Sequence, residues 1–291
     1  MKFLQILVNS IYIEYEDYGD NADPAFVLIR GLGSQLIHWP KNLINGLVEA
    51  GYRVIIFDNR DIGLSSRCPL NGVSYDKQSI IKKIDSGQKI MPAYSLDDMA
   101  LDVIGLMDEL YIAKAHIFGM SLGGVITQVL AINYPHRLIS TTIVMSAAKL
   151  ADPNRIKQVA LEHSSKAEYV SNAVQENSLW GNSKFPVSKD YVRDLAGKAY
   201  ERGADSEGVN RQFSAIFSFG DRREALKLVD LPCLVIHGED DVLVLPEEGK
   251  EISSLLKGSE LRIISGMGHE ITPLLSPIIV NIVHEFLKRR C

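Results

Sequence analysis

The residues of this chain with most to offer chemically are Gly119-Met120-Ser121-Leu122-Gly123, a G-x-S-x-G segment, together with a histidine and acidic groups far downstream. A serine hydroxyl is a poor nucleophile until a base within hydrogen-bond reach accepts its proton. That base in turn needs a third group to fix its tautomer and stabilise its cation. The glycines permit a tight turn that projects the Ser121 hydroxyl, and the Leu122 N–H, at a helix start, can point at a developing oxyanion. Without that chemistry, the same segment is a glycine-rich turn into a closely packed helix with an incidental serine.

Of seven histidines, His269 stands out. It ends Gly266-Met267-Gly268-His269, just past the expected strand Leu261 to Ile264, and so is expected at the working edge of the sheet. His116 lies inside an apolar run, and His136, His163 and His284 lie in helical or connecting sequence, where a structural role is the simpler reading. His237 ranks second, because it closes a strand directly before a turn glycine. The acid is sought in Gly238-Glu239-Asp240-Asp241, since the chain order serine, acid, histidine is that of a serine on a strand-to-helix elbow. Asp241 is the choice, with Asp240 and Glu239 as competitors, because the sequence does not show which of them turns inward. A second oxyanion donor is expected from the Leu32 N–H of Arg30-Gly31-Leu32-Gly33.

That loop also approaches a dinucleotide fingerprint, as Gly31-x-Gly33-x-x-Leu36 with Asp58 at the end of the next strand. Leu36 stands where the third glycine belongs, and a nicotinamide or flavin would leave Ser121, Asp241 and His269 unexplained. His269-Glu270 has Pro273 where a second histidine would be needed for zinc, and neither a P-loop nor an EF-hand loop occurs. No cofactor and no metal are therefore expected.

Elements able to position these residues follow from the apolar pattern. Lys2 to Val8 and Ile11 to Tyr18 read as a hairpin across Asn9-Ser10, and Ala25 to Ile29 as a strand buried on both faces. A helical pattern follows through Leu36, Leu43, Ile44, Leu47 and Val48, then a strand from Tyr52 to Phe57. Asp58 to Tyr94 is rich in turn residues, with a short helix over Ile80 to Ile84, and a connection this long points to function. Ser95-Leu96-Asp97-Asp98 has the form of a capping box opening an amphipathic helix through Leu110. Strands Ala115 to Phe118 and Leu138 to Met145 flank the serine turn and its helix. Cys233 to His237, a helix from Pro246 to Leu256, Leu261 to Ile264 and a last helix from Pro277 complete the alternation.

Alternating strands and helices imply an α/β fold with a mostly parallel sheet, whose working loops lie at the carboxyl ends of the strands. From Leu150 to Asp221 the pattern is helical and polar, without a strand, and reads as an insertion. The expected organisation is a core of residues 1–149 and 222–291 with a helical cap over 150–221.

The chain has 291 residues, 46% of them apolar and 23% charged, which suits a globular protein with a sizeable core. The 31 basic and 36 acidic residues give a net charge of −5, without the basic field that phosphate backbones attract, so nucleic acid is not an expected partner. Cys68, Cys233 and Cys291 are odd in number and far apart, as expected of a reducing compartment. No run approaches about 18 apolar residues, and the N-terminus lacks a cleavable signal pattern, so a cytoplasmic protein without membrane partners is expected.

Beyond the elbow, Phe57-Asp58-Asn59-Arg60-Asp61-Ile62-Gly63-Leu64-Ser65, Tyr94-Ser95-Leu96-Asp97-Asp98-Met99-Ala100 and Gly266-Met267-Gly268-His269 resemble the aclacinomycin methylesterase-like branch of the α/β-hydrolase fold. The resemblance covers nearly the whole chain. It implies an eight-stranded sheet with Ser121 as nucleophile, His269 as base, Asp241 as its orienting acid, and Leu32 and Leu122 as backbone donors. It also implies a small-molecule ester or lactone as substrate, since the branch includes esterases of polyketide antibiotics and the broader fold includes macrolide-ring esterases. The chain departs from the family at the oxyanion loop, where Arg30-Gly31 replaces the frequent His-Gly. Two rivals remain: a cofactor-free perhydrolase or acyltransferase on the same triad, and a ligand receptor on a hydrolase scaffold.

Overall fold

The computed structural model describes residues 4–73, 75–149, 154 and 162–290. Lys2, Phe3, Cys291 and the first part of the expected insertion lie outside the described residues. Eight strands form one sheet: β1 (Leu4–Val8), β2 (Ile11–Tyr18), β3 (Ala25–Ile29), β4 (Arg53–Phe57), β5 (Ala115–Met120), β6 (Leu138–Val144), β7 (Cys233–Gly238) and β8 (Glu260–Ile264). Their spatial order is β1-β2-β4-β3-β5-β6-β7-β8. The β1–β2 hairpin is antiparallel and joins β4 antiparallel, whereas every pairing from β4 to β8 is parallel.

Period-2 alternation sorts the strand side chains into two apolar layers. Val27 and Ile29 of β3, with Ile55 and Phe57 of β4, face one layer; Phe26 and Leu28, with Val54 and Ile56, face the other. The first layer is covered by α3 (Leu96–Glu109) through Met99, Val103 and Leu106, and by α4 (Leu122–Asn133) through Ile126, Val129 and Leu130. The second is covered by α1 (Lys41–Glu49) through Leu43, Ile44 and Leu47, and by α10 (Ser276–Arg290) through Ile279, Val283 and Phe286. The capping box forms: Ser95 Oγ accepts from the Asp98 N–H, and the Asp98 carboxylate accepts from the Ser95 N–H.

The continuous helix expected from Leu36 is divided. Leu36–His38 is a single 3-10 turn, and Pro40, in extended backbone, is the residue before α1. Proline's missing N–H and fixed φ suit a helix start rather than an interior, which is why the apolar periodicity spans a break. The long connection after β4 contains α2 (Lys77–Asp85). Between β6 and β7 come α5 (Lys166–Trp180), α6 (Lys189–Glu201), α7 (Ser206–Ser218) and the short α8 (Arg223–Leu226), then α9 (Pro246–Leu255) leads to β8.

These intervening helices are tied to the core by buried ion pairs. Arg202, at the end of α6, reaches Asp58 at 2.8 Å and Gln35 at 2.9 Å, and Arg211 of α7 reaches Asp61 at 2.8 Å. Arg202 is also 3.8 Å from Glu14 on β2, a carboxylate 2% exposed whose Oε2 has no partner. Burial pushes the Glu14 carboxyl up to about 7, against the pull of Arg202. The folded protein therefore holds this proton more tightly than the unfolded chain does, so the group costs stability increasingly as pH rises from about 4.5 to 7. Glu14→Gln is expected to be near neutral at pH 5 and stabilising by about 1–2 kcal/mol at pH 8, read by urea unfolding at the two pH values. An equal effect at both would contradict this.

Candidate active site

Ser121 stands where β5 passes into α4, with φ 56° and ψ −117°. A residue with a Cβ rarely occupies that region, and a turn this sharp leaves no room around it. A Cβ on Gly119 would lie 2.1 Å from the Gly123 carbonyl oxygen, and one on Gly123 would lie 2.0 Å from that of Ile29. Both glycines are thus required by backbone contact between the elbow, its helix and β3. The Ser121 N–H donates to the Val144 carbonyl at 2.9 Å, and Ser146 Oγ donates to the Ser121 carbonyl at 2.9 Å, fixing the turn to the end of β6. The Ser121 hydroxyl caps no helix N–H and lines a cavity of about 330 Å³.

His269 lines the same cavity. Its Nδ1 lies 2.7 Å from Asp241 Oδ2. A carboxylate only accepts, so Nδ1 carries the proton and Nε2 keeps its lone pair. The loop holding His269 is braced by the end of α5 and the residues after it: the His269 N–H donates to the Trp180 carbonyl at 2.7 Å, and the Gly268 N–H donates to Asn182 Oδ1 at 2.9 Å.

Asp241 is 2% exposed, and its Oδ1 accepts from the N–H groups of Leu243 (3.0 Å) and Val244 (2.9 Å). Burial alone would raise its pKa. The charge and hydrogen bond of His269, with those of His237, outweigh it and hold the carboxyl well below the usual carboxylate range. Its competitors face away, for Glu239 and Asp240 are exposed and Asp240 accepts from Ser183 Oγ. His237 is fully buried beneath Asp241, 3.4 Å from Oδ2, with its Nε2–H donating to the Val244 carbonyl at 2.9 Å. It contacts Asp241 from within the core. His116 is buried and bonds Ser140.

Leu32 and Leu122 line the cavity beside Ser121. The Leu122 N–H belongs to the first turn of α4 and has no acceptor within that helix. A Cβ on Gly31 would lie 3.2 Å from Ser121 Cβ, so the loop's main chain approaches the elbow closely. Arg30, the departure at that loop, is 1% exposed, stacks over the Trp39 ring at 4.7 Å, and reaches Glu270 Oε1 at 3.5 Å with both terminal nitrogens. It therefore connects the loop after β3 to the residue after His269.

Several lining residues escaped the sequence reading. His38 lies on the cavity, with its Nδ1 2.9 Å from the Gln35 backbone nitrogen and 3.1 Å from the Gln35 carbonyl oxygen. Burial and the nearby Arg30 push its pKa down to about 3. Its one signal in the sequence is its place just after Arg30-Gly31-Leu32-Gly33. Trp180 and Tyr191 line the cavity, whereas Phe213 is wholly buried in a separate cluster with Tyr75 and Ile80. Aromatic content could not separate those faces, because it ignores which side of each helix turns inward.

Among known proteins, a model of the α/β hydrolase fold matches residues 24–272. The chain is 33% identical over 283 residues to the rhodomycin D methylesterase DnrP of Streptomyces peucetius, covering 88% of each chain. It is 25% identical over 250 residues to 3-oxoadipate enol-lactonase 1 of Acinetobacter baylyi, covering 84% of this chain and 82% of that one. In structure it is similar to an enol-lactonase from Burkholderia xenovorans, with a TM-score of 0.75 at 23% identity over 98% of this chain and 100% of that one.

The elbow's packing makes a direct prediction. Gly123→Ala is expected to destabilise the protein by about 3 kcal/mol or more, since backbone rather than a movable side chain blocks the new Cβ. Gly220→Ala, which meets nothing within 4 Å, is expected to change stability by about 0.5 kcal/mol at most. Urea unfolding of the two variants checks the contrast, and equal losses would refute the packing argument.

Proposed function

Because the chain belongs to the α/β-hydrolase fold family and with it is a hydrolase, we propose that it cleaves carboxylic esters through an acyl-enzyme on Ser121. The observation that carries this reading is the 2.7 Å bond between His269 Nδ1 and Asp241, with His269 and the strained Ser121 on one cavity. In the proposed cycle Ser121 Oγ attacks the ester carbonyl as His269 Nε2 takes its proton, and Asp241 stabilises the imidazolium. The Leu32 and Leu122 N–H groups receive the oxyanion, and His269 then returns the proton to the leaving alcohol. Water repeats the sequence on the acyl-enzyme, releasing the acid and restoring the serine. None of these steps requires a cofactor.

For the substrate we propose a bulky polyketide ester or a macrocyclic lactone, inactivated by ester cleavage or ring opening. Support comes from the methylesterase named for rhodomycin D, from the enol-lactonase relative, and from an extended cavity walled by helices α5, α6 and α7. In this reading those helices are the cap, residues 150–221, over a core of 1–149 and 222–291. No helix among the described residues is long and apolar enough to cross a membrane.

Ser121→Ala and His269→Ala are each expected to lower turnover by about 10⁴-fold or more, and Asp241→Asn somewhat less, with folding checked by circular dichroism. Full activity in Ser121→Ala would remove the mechanism. For the substrate, a panel of short esters and macrolides is followed by mass spectrometry. Gain of one water without fragmentation marks ring opening, and turnover of short esters alone would argue against the macrocycle.

A further inference from the structure

Most charged groups on the cavity are engaged. Arg30 pairs with Glu270, Arg222 donates to the Ala147 carbonyl and to Gln128, and Lys149 lies exposed near Asp221. Glu176 differs from these. It lines the cavity from α5, yet no described lysine or arginine lies within ion-pair distance of it, and Lys77 acts on it only at longer range. A carboxylate facing a largely apolar chamber without a counter-ion is costly, and burial pushes this carboxyl up to about 8.

Its neighbours share a chemistry. Tyr169, Ala173, Glu176 and Trp180 recur on α5 at spacings of four, three and four residues, which places them on one stripe of the helix, and all four line the cavity. Tyr191 of α6 joins them. Tyr169 is held in place by ring contacts with His163, at 4.9 Å between centroids, and Tyr200, at 5.8 Å. Electron-rich rings beside an uncompensated carboxylate form the surroundings that favour an alkylammonium over a neutral alkyl group, because ring quadrupole and carboxylate charge act on a cation in the same sense. The small Ala173 leaves room between the two aromatic residues of the stripe.

We infer that this wall is a cation subsite: the substrate is an ester or lactone bearing an alkylammonium group, held by Glu176 among Tyr169, Trp180 and Tyr191 while its carbonyl meets Ser121. The inference rests on the hydrolase reading only for that last clause. The cation supplies the missing counter-charge and favours the ionised carboxyl. The remote group then fixes the orientation of the ester without taking part in bond breaking.

The test uses two methyl esters of the same shape, methyl 4-(trimethylammonio)butanoate and methyl 5,5-dimethylhexanoate, which differ in one charge. Each is titrated calorimetrically into Ser121→Ala protein, which binds without turnover, at about pH 8.5 where Glu176 is mostly ionised. The cationic ester is expected to bind at least about tenfold more tightly, and Glu176→Gln in the same background to reduce that preference below about threefold. Equal or tighter binding of the neutral ester overturns the subsite, as does a preference that survives Glu176→Gln. Methanol release by the Ser121 protein separates the two readings. Selective cation binding without methanol from either ester counts against the hydrolase and leaves the subsite standing, whereas methanol from both esters with equal affinity does the reverse.

Discussion

The rest of the site depends on a left-handed backbone at one non-glycine residue, Ser121, between a fully buried strand and a buried helix. Such a conformation costs about 1–3 kcal/mol and persists only where its surroundings leave no alternative. Here β5 lies between β3 and β6, the Ser121 N–H is taken by Val144, and Gly119 and Gly123 press their main chains against neighbours closer than any Cβ allows. The rigid sheet offsets the strain. The result is a hydroxyl held away from its own helix, facing the cavity and the backbone of the loop after β3.

A second constraint holds the helices between β6 and β7 over that cavity. Asp58, fully buried, accepts from the Leu36 N–H at 2.6 Å, the Leu64 N–H at 3.0 Å and Arg202 at 2.8 Å, so one carboxylate joins three segments. Gln212 of α7 accepts from the Gly33 N–H at 3.1 Å and donates to the Arg60 carbonyl at 3.0 Å, tying the loop after β3 to the same helices. Desolvation consumes much of what buried ion pairs gain, so their main effect here is to set the seat of α6 and α7 rather than to add net stability.

The two constraints divide the labour. Ser121, Asp241 and His269, proposed for bond breaking, stand on strand ends and short loops of the sheet. Residues of α5 to α7 line the same cavity and are joined to the sheet through the ion pairs of Arg202 and Arg211. His269 meets both, because Asp241, its hydrogen-bond partner, is beside β7 while its main chain is bonded to Trp180 of α5. Placement of the helices therefore bears on His269 as well as on the cavity.

The sequence by itself determined the alternation of strands and helices, the Ser95–Asp98 cap and the strand-turn-helix context of Ser121, because each rests on contacts between residues near in the chain or on a period of two or 3.6. It misjudged the stretch after β3, where Pro40 divides an apolar pattern that continues in register across the break. Tertiary structure alone decided which of three adjacent acids meets a histidine 28 residues away: the N–H groups of Leu243 and Val244 draw Asp241 inward, while Asp240 turns out to Ser183. It alone decided that His38 and Glu176 face the cavity and Phe213 does not. Those outcomes depend on how distant segments close around a shared space, and no local spacing encodes that.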